Sequence, residues 1–364
     1  MITIIILTAI LLLTAIWFLR RNAFGATPKG NHLEKIKNSP NYQNGAFQNL
    51  SPTPDLTDDA TYYSVIQEFI FGKNERKKPI EEIPAIKTNL HNLEPEKDVL
   101  IWFGHSSYFI QLDGKKILVD PVLSATASPV KFTTKAFKGT SVYSADDIPA
   151  VDYLFITHDH WDHLDYKTVK KIKSKVGKVI CGLGTGAHLE RWGFSSDQII
   201  EKDWNESFSP DKGFTVTTVP ARHFSGRGLK RNQALWTSFA LKTPSMNIFI
   251  GGDSGYDSHF AKAGQNLGPF DLAILENGQY DKSWKYIHMM PEEVIKAAND
   301  LKAIKLFPVH SSKFALANHD WDEPLTKISS LSQDTDLQTI TPKIGEIIYL
   351  KKQQKFSNWW EFTT

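Results

Sequence analysis

Between residues 155 and 165 the chain reads Phe-Ile-Thr-His-Asp-His-Trp-Asp-His-Leu-Asp. Three histidines (His158, His160, His163) and the carboxylate Asp162 lie within six residues. Imidazole and carboxylate groups together suit zinc or a similar divalent metal. Four ligands are too many for one tetrahedral ion with an open position, so a pair of metals is the natural expectation. A lone histidine is more often a satisfied structural residue, but four donors at this spacing have few structural explanations.

Rigid elements must hold such a cluster. Residues 151–157 are apolar, β-branched or aromatic at most positions and predict a buried strand. From Asp165 onward, Tyr166, Val169 and Ile172 with lysines between them predict an amphipathic helix. The ligands therefore sit on a strand-to-helix loop. Other predicted strands are 99–103, 108–112, 116–120, 178–182, 214–219, 236–241, 247–250, 271–275 and 304–308, with helices at 62–71, 187–192 and 291–301. Strands in two groups with helices interleaved predict an α/β layered fold. Three further donors follow predicted strands: His223 past 219, Asp253 past 250 and His310 past 308. Gly251 and Gly252 let the backbone come close to whatever Asp253 touches.

The chain has 364 residues, and lysine plus arginine (42) minus aspartate plus glutamate (40) leaves +2. That balance gives no electrostatic case for nucleic acid as a partner. Cys181 is the one cysteine, so no intramolecular disulfide forms and the metal shell must come from His and Asp. Residues 2–19 carry no charge and make a helix about 27 Å long, near the thickness of a bilayer core. Trp17 and Phe18 sit at the level of an aromatic belt, followed by Arg20 and Arg21. An uncleaved single-pass anchor is expected over a cleaved signal peptide, with the catalytic domain cytoplasmic by the positive-inside rule. The expected division is an anchor at 1–22, a linker and arm at 23–98, a hydrolase domain at 99–350 and a tail at 351–364. Trp359 and Trp360 in that tail are expected to pack in the core.

The motif His158-x-His160-x-Asp162-His163, followed in order by His223, Asp253 and His310, resembles that of the metallo-β-lactamase superfamily. The resemblance covers about 99–349 and implies the αββα sandwich of that family. It also implies one metal on His158, His160 and His223, a second on Asp162, His163 and His310, and Asp253 bridging both. Smaller signatures resemble the N-acyl-phosphatidylethanolamine-hydrolysing phospholipase D group and its bacterial membrane-associated relatives. They are Trp-Phe-Gly-His-Ser-Ser at 102–107, Asp120-Pro121, Pro-Ala-Arg-His at 220–223, His-Met-Met-Pro-Glu-Glu at 288–293 and the run from His310 to Asn318. The chain departs from that group at Met290, where the group has Asp, and at Asn318-His319-Asp320.

The expected activity is phosphodiester cleavage of a phospholipid by a hydroxide shared between two metal ions, with zinc expected by ligand type. Asp162 is expected to orient or deprotonate the nucleophile. His288 is the candidate for contacting phosphate or protonating the leaving group, and His319 a weaker substrate contact. His105 is expected to hydrogen-bond a ligand from its turn, and His188 and His259 to be structural or exposed. Ser106 and Ser107 offer no triad, because the histidines are claimed by metal. A homodimer is compatible with the sequence. The rivals are a lactonase like the L-ascorbate-6-phosphate lactonase relatives and a non-catalytic metal-binding scaffold. A nuclease would need a basic exosite, and a β-lactamase commonly has Cys where Asp253 stands.

Overall fold

The computed structural model describes residues 1–362. Two seven-stranded sheets form the body. The first runs Ile347–Tyr349, Val99–Trp102, Tyr108–Leu112, Lys115–Val119, Val151–Ile156, Val176–Gly182 and Ile199–Lys202. The second runs Gln338–Thr339, Lys305–Val309, Leu272–Glu276, Asn247–Ile250, Ser238–Lys242, Thr215–Val219 and Ser207–Phe208. In each sheet one half is antiparallel and the other parallel.

The strands are apolar on both faces because both faces are covered. Leu100 and Trp102 point into the layer between the sheets, where Phe155, Phe239 and Phe307 also pack. Val99, Ile101 and Phe103 point the other way, into a second layer closed by the helix Tyr166–Ile172. The outer face of the second sheet is closed by His259–Asn266, Pro291–Asp300 and Glu323–Ser332. Trp359 and Trp360 are buried in the central layer, with Trp359 6.4 Å from Trp102 between ring centroids.

The helix Ile2–Leu19 is long and apolar enough to cross a membrane, and none of its residues is buried. The stretch after it lies on the body. Ile36 of the helix Asn31–Lys37 and Phe47 of a small hairpin are buried against Leu183, Trp204, Leu235 and Trp236. The helix Tyr62–Phe71 buries nothing, and Tyr63, Ile66, Ile70 and Phe71 are exposed.

Candidate metal centre

The donors collect at the carboxyl ends of the parallel strands, where open α/β sheets place their ligands. Asp120 directly follows Lys115–Val119, His158 comes two residues after Val151–Ile156, Asp253 three after Asn247–Ile250, and His310 one after Lys305–Val309. Gly252 has φ +63°, and a Cβ there would stand 2.8 Å from Thr157 Cβ, so the Asp253 turn needs glycine to press against the first ligand strand.

One group joins His158, His160, His223 and Asp253, with one donor atom from each within 4.8 Å of the others. His160 Nδ1 lies 2.9 Å from His158 Nε2 and 3.2 Å from His223 Nε2. Their far nitrogens are committed as donors. His223 Nδ1 donates to the carbonyl of Ile287 at 2.9 Å. His158 Nδ1 donates to Thr157 Oγ1 at 3.1 Å, since that hydroxyl gives its own proton to Asp120 Oδ2 at 2.5 Å. Two lone pairs thus face one nitrogen of His160, and a proton there can serve only one of them. Burial, joined by neighbouring histidines, holds His158 and His223 well below the usual imidazole range, and burial pushes His160 down to about 4. Converging neutral imidazoles beside a carboxylate fit a divalent cation.

A second group joins His105, Asp162, His163 and His310. His163 Nε2 is 3.1 Å from Asp253 Oδ1 and 3.6 Å from Asp162 Oδ2, and Asp253 Oδ1 also lies 3.0 Å from His310 Nδ1. Both His163 Nε2 and Asp253 Oδ1 are buried without a hydrogen-bond partner, another mark of positions made for a cation. Burial disfavours the Asp253 charge, yet His163 and His310 hold its carboxyl well below the usual range. Asp253 therefore reaches both groups. His105 Nε2 donates to Asp162 Oδ2 at 2.9 Å from a turn with φ +54°. Asp120 Oδ2 accepts from His163 Nδ1 at 2.8 Å and fixes that ring.

His288 stands above the cluster, its ring 5.0 Å from His223 and 5.2 Å from His310 between centroids. Its Nδ1 donates to Glu276 Oε2 at 2.6 Å, and Glu276 Oε1 accepts from the amide of Met289 at 2.9 Å. Burial works against an imidazolium here, but Glu276 outweighs it and holds His288 up to about 9. His319 does not join the cluster. Its Nε2 accepts from the Gln279 amide at 2.8 Å and its Nδ1 donates to the Asp320 carbonyl at 2.7 Å, so neither nitrogen is left for a substrate. His188 and His259 are buried, with His188 bonded to Asp159 Oδ2 and to the amide of Ala26.

Three supports lay outside the sequence reading. Asn49 clasps His223 from the arm, its Oδ1 accepting from the His223 amide at 3.0 Å and its Nδ2 donating to the His223 carbonyl at 2.7 Å. Glu276 is an acid at the end of an apolar strand, the one pattern that pointed to it. Arg227 is fully buried and holds the ligand loop, as Nη1 donates to the carbonyls of Asp159 and Leu164, each at 2.7 Å.

Comparison with known proteins agrees with this architecture. The Beta-lactamase superfamily domain model matches residues 115–311. A protein of Mycobacterium tuberculosis is 36% identical over 326 residues, covering 88% of this chain and 87% of its own. The N-acyl-phosphatidylethanolamine-hydrolyzing phospholipase D 1 of Caenorhabditis elegans is 27% identical over 342 residues, covering 86% and 93%. Igni18, a metallo hydrolase of Ignicoccus hospitalis, superposes with a TM-score of 0.52 at 21% identity, over 69% of this chain and 97% of its own. With two sheets meeting at a His/Asp cluster and relatives that run nearly end to end, the chain belongs to the metallo-β-lactamase superfamily and is a metal-dependent hydrolase.

Proposed function

We propose that this protein is a membrane-anchored phosphodiesterase that cleaves N-acyl-phosphatidylethanolamine-type phospholipids in the manner of a phospholipase D. The observation that carries this reading is where the apolar helix ends. Phe24, just past it, packs edge-on against Trp161 at 5.1 Å, and Trp161 lies between His160 and Asp162. A site built on that loop lies close to the foot of a membrane span, where lipid headgroups are concentrated. The name and near full-length similarity of the worm relative support the same substrate class. The division into anchor, arm, hydrolase domain at 99–350 and tail belongs to this proposal, as does a cytoplasmic domain.

His158, His160 and His223 would hold one zinc ion and Asp162, His163 and His310 the other, with Asp253 shared. Bound there, the ions supply Lewis acidity toward phosphate and lower the pKa of a nucleophilic water. The protein's own groups do the rest. Asp162, kept ionised by His163 and by the His105 hydrogen bond against the cost of burial, accepts a proton and orients the nucleophile. His288, with Nδ1 tied to Glu276, carries a proton on Nε2 for the leaving oxygen or contacts the phosphate. Phe224, Ile287, Trp284 and Tyr62 line a cleft of about 370 Å³ beside these groups, apolar enough for the start of an acyl chain.

Metal analysis together with turnover of N-acyl-phosphatidylethanolamine, a generic phosphodiester and a lactone tests the proposal. Phospholipid turnover at two metals per chain is expected. Lactone turnover without phosphodiester turnover overturns the substrate, and a metal-loaded protein inert to all three favours a scaffold. Protease protection in membrane vesicles tests the side: digestion from outside the cytoplasm rejects the orientation.

A further inference from the structure

A cleft of about 410 Å³ opens at the foot of the apolar helix, and none of the metal-centre donors lines it. Its walls include Arg20, Arg21, Asn22, Lys131, Lys167 and Trp161. The side chains of Arg20, Lys131 and Lys167 make no ion pair or hydrogen bond among the described residues, and the Arg21 guanidinium has only the Phe18 ring, 5.2 Å away. One carboxylate, Asp165, shares the lining, and neutral donors hold it in place rather than any of these cations. Its oxygens accept from the amides of Ser124 and Lys167, each at 3.1 Å, and from Thr168 Oγ1 at 2.5 Å. Four cations thus line one cleft against a single carboxylate, an excess of positive charge.

The cleft is built on fixed walls. The carbonyl of Arg20 accepts from Arg191 Nη2 at 3.0 Å, that of Asn22 from Trp192 Nε1 at 2.8 Å and that of Ala23 from Arg227 Nη2 at 2.9 Å. The segment after the helix is therefore pinned to the hydrolase body through its backbone, which leaves the arginine side chains free to turn outward. Beside Lys131, Phe132 is 79% exposed, an apolar side chain presented to the outside. Cations that flank a membrane span lie among phosphates when the span is inserted.

We propose that this cleft is a second, non-catalytic site that binds a phosphate group, supplied by an anionic lipid headgroup at the bilayer surface. The lipid source rests on the membrane-anchor reading; the anion site does not. With the cleft filled, the headgroup lies against Trp161, so the membrane would brace the ligand loop as well as hold the domain in place.

The test uses the full chain purified in a neutral detergent, with thermal unfolding as readout, because ligand bound to the folded state raises the unfolding temperature. The probes are short-chain phosphatidylglycerol, short-chain phosphatidylcholine and inorganic phosphate. The variants are Lys131→Gln/Lys167→Gln and Arg20→Gln/Arg21→Gln, whose metal ligands are intact. Phosphatidylglycerol should stabilise the parent more than phosphatidylcholine does, and each double variant should need roughly tenfold more of it for the same shift. A shift from inorganic phosphate that is equally sensitive to the variants, with none from phosphatidylglycerol, keeps the anion site and rejects the lipid source. No shift, or one that both variants leave unchanged because the probe sits on the metals, overturns the site. Turnover plays no part in this readout, so a failed phospholipase assay and a failed anion site remain distinguishable.

Discussion

Arg227 gives the sharpest test of how the metal loop is held. Its Nη1 donates to the carbonyls of Asp159 and Leu164, and its Nε and Nη2 both reach the carbonyl of Ala23 at 3.1 and 2.9 Å. Its guanidinium also lies 4.0 Å from the Trp161 ring. Burial pushes its pKa down to about 10, which still leaves it charged at neutral pH. Asp159 and Leu164 bracket His160, Asp162 and His163, so one side chain sets the curve of the ligand loop from both ends. Arg227→Met leaves the buried carbonyls of Asp159 and Leu164 and the half-buried one of Ala23 short of a donor at about 1–3 kcal/mol each, less what relaxation and water recover, so a net loss of about 4 kcal/mol is expected. Arg227→Lys keeps the charge, but a single ammonium cannot serve both loop carbonyls and Ala23 in fork geometry, so about 2 kcal/mol is expected. The loosened loop should lower metal affinity about 10–100-fold, as loss of a ligand's outer support does. Denaturant unfolding of metal-free protein reads the first quantity, and competition with a chelator reads the second. An Arg227→Lys variant that binds metal within twofold of the parent would refute the reasoning, even if its stability had fallen.

Other consequences can be checked alongside. Asp253→Ala should lose the coupling between the two metals and nearly all activity, seen as metal content below two per chain; full retained activity rejects its shared role. In metal-free protein His288 should titrate near 9 by ring NMR, and Glu276→Gln should lower that value because the carboxylate that holds up the imidazolium is gone. His32, 2.6 Å from Glu201 and 3.1 Å from Glu190, is raised to about 9, chiefly by its Glu201 hydrogen bond. Because its folded pKa exceeds the unfolded one, this stabilisation is complete below about pH 6.5 and fades as pH rises through 9. Allowing for screening it should amount to about 1–2 kcal/mol, so the fall in unfolding free energy from pH 7 to pH 10 should be larger by that much in the parent than in His32→Gln. Asn49→Ala should reduce metal affinity with little change in the central core, since it removes both hydrogen bonds that clasp the His223 backbone.

What the sequence made legible follows from the period of its patterns. The strands announce themselves because both faces of each sheet are covered, so Val99, Leu100, Ile101 and Trp102 are all apolar. His158 to His163 stand out because ligand spacing is local, and His223, Asp253 and His310 each follow a strand that the same pattern marks. The helices His259–Asn266 and Glu323–Ser332 were not predicted, being short and mostly polar, with only one narrow buried face each. The supporting groups were illegible for a different reason. Asn49 and His223 are 174 positions apart, and Arg227 meets Ala23 across 204, and no local period encodes such meetings. His319 shows the converse error: a polar residue near a ligand in sequence looked available, yet neighbouring backbone had already claimed both its nitrogens. Composition alone likewise marks the first part of the 23–98 linker and arm, from Phe24 to about Pro54, as irregular, because glycine, asparagine and proline are what a chain without its own core looks like. Here that segment borrows a core from the hydrolase body through Ile36 and Phe47, and in return Asn49 holds a metal ligand and Ala23 accepts the Arg227 clamp. Displacing this segment should therefore disturb the metal centre before it disturbs the sheets.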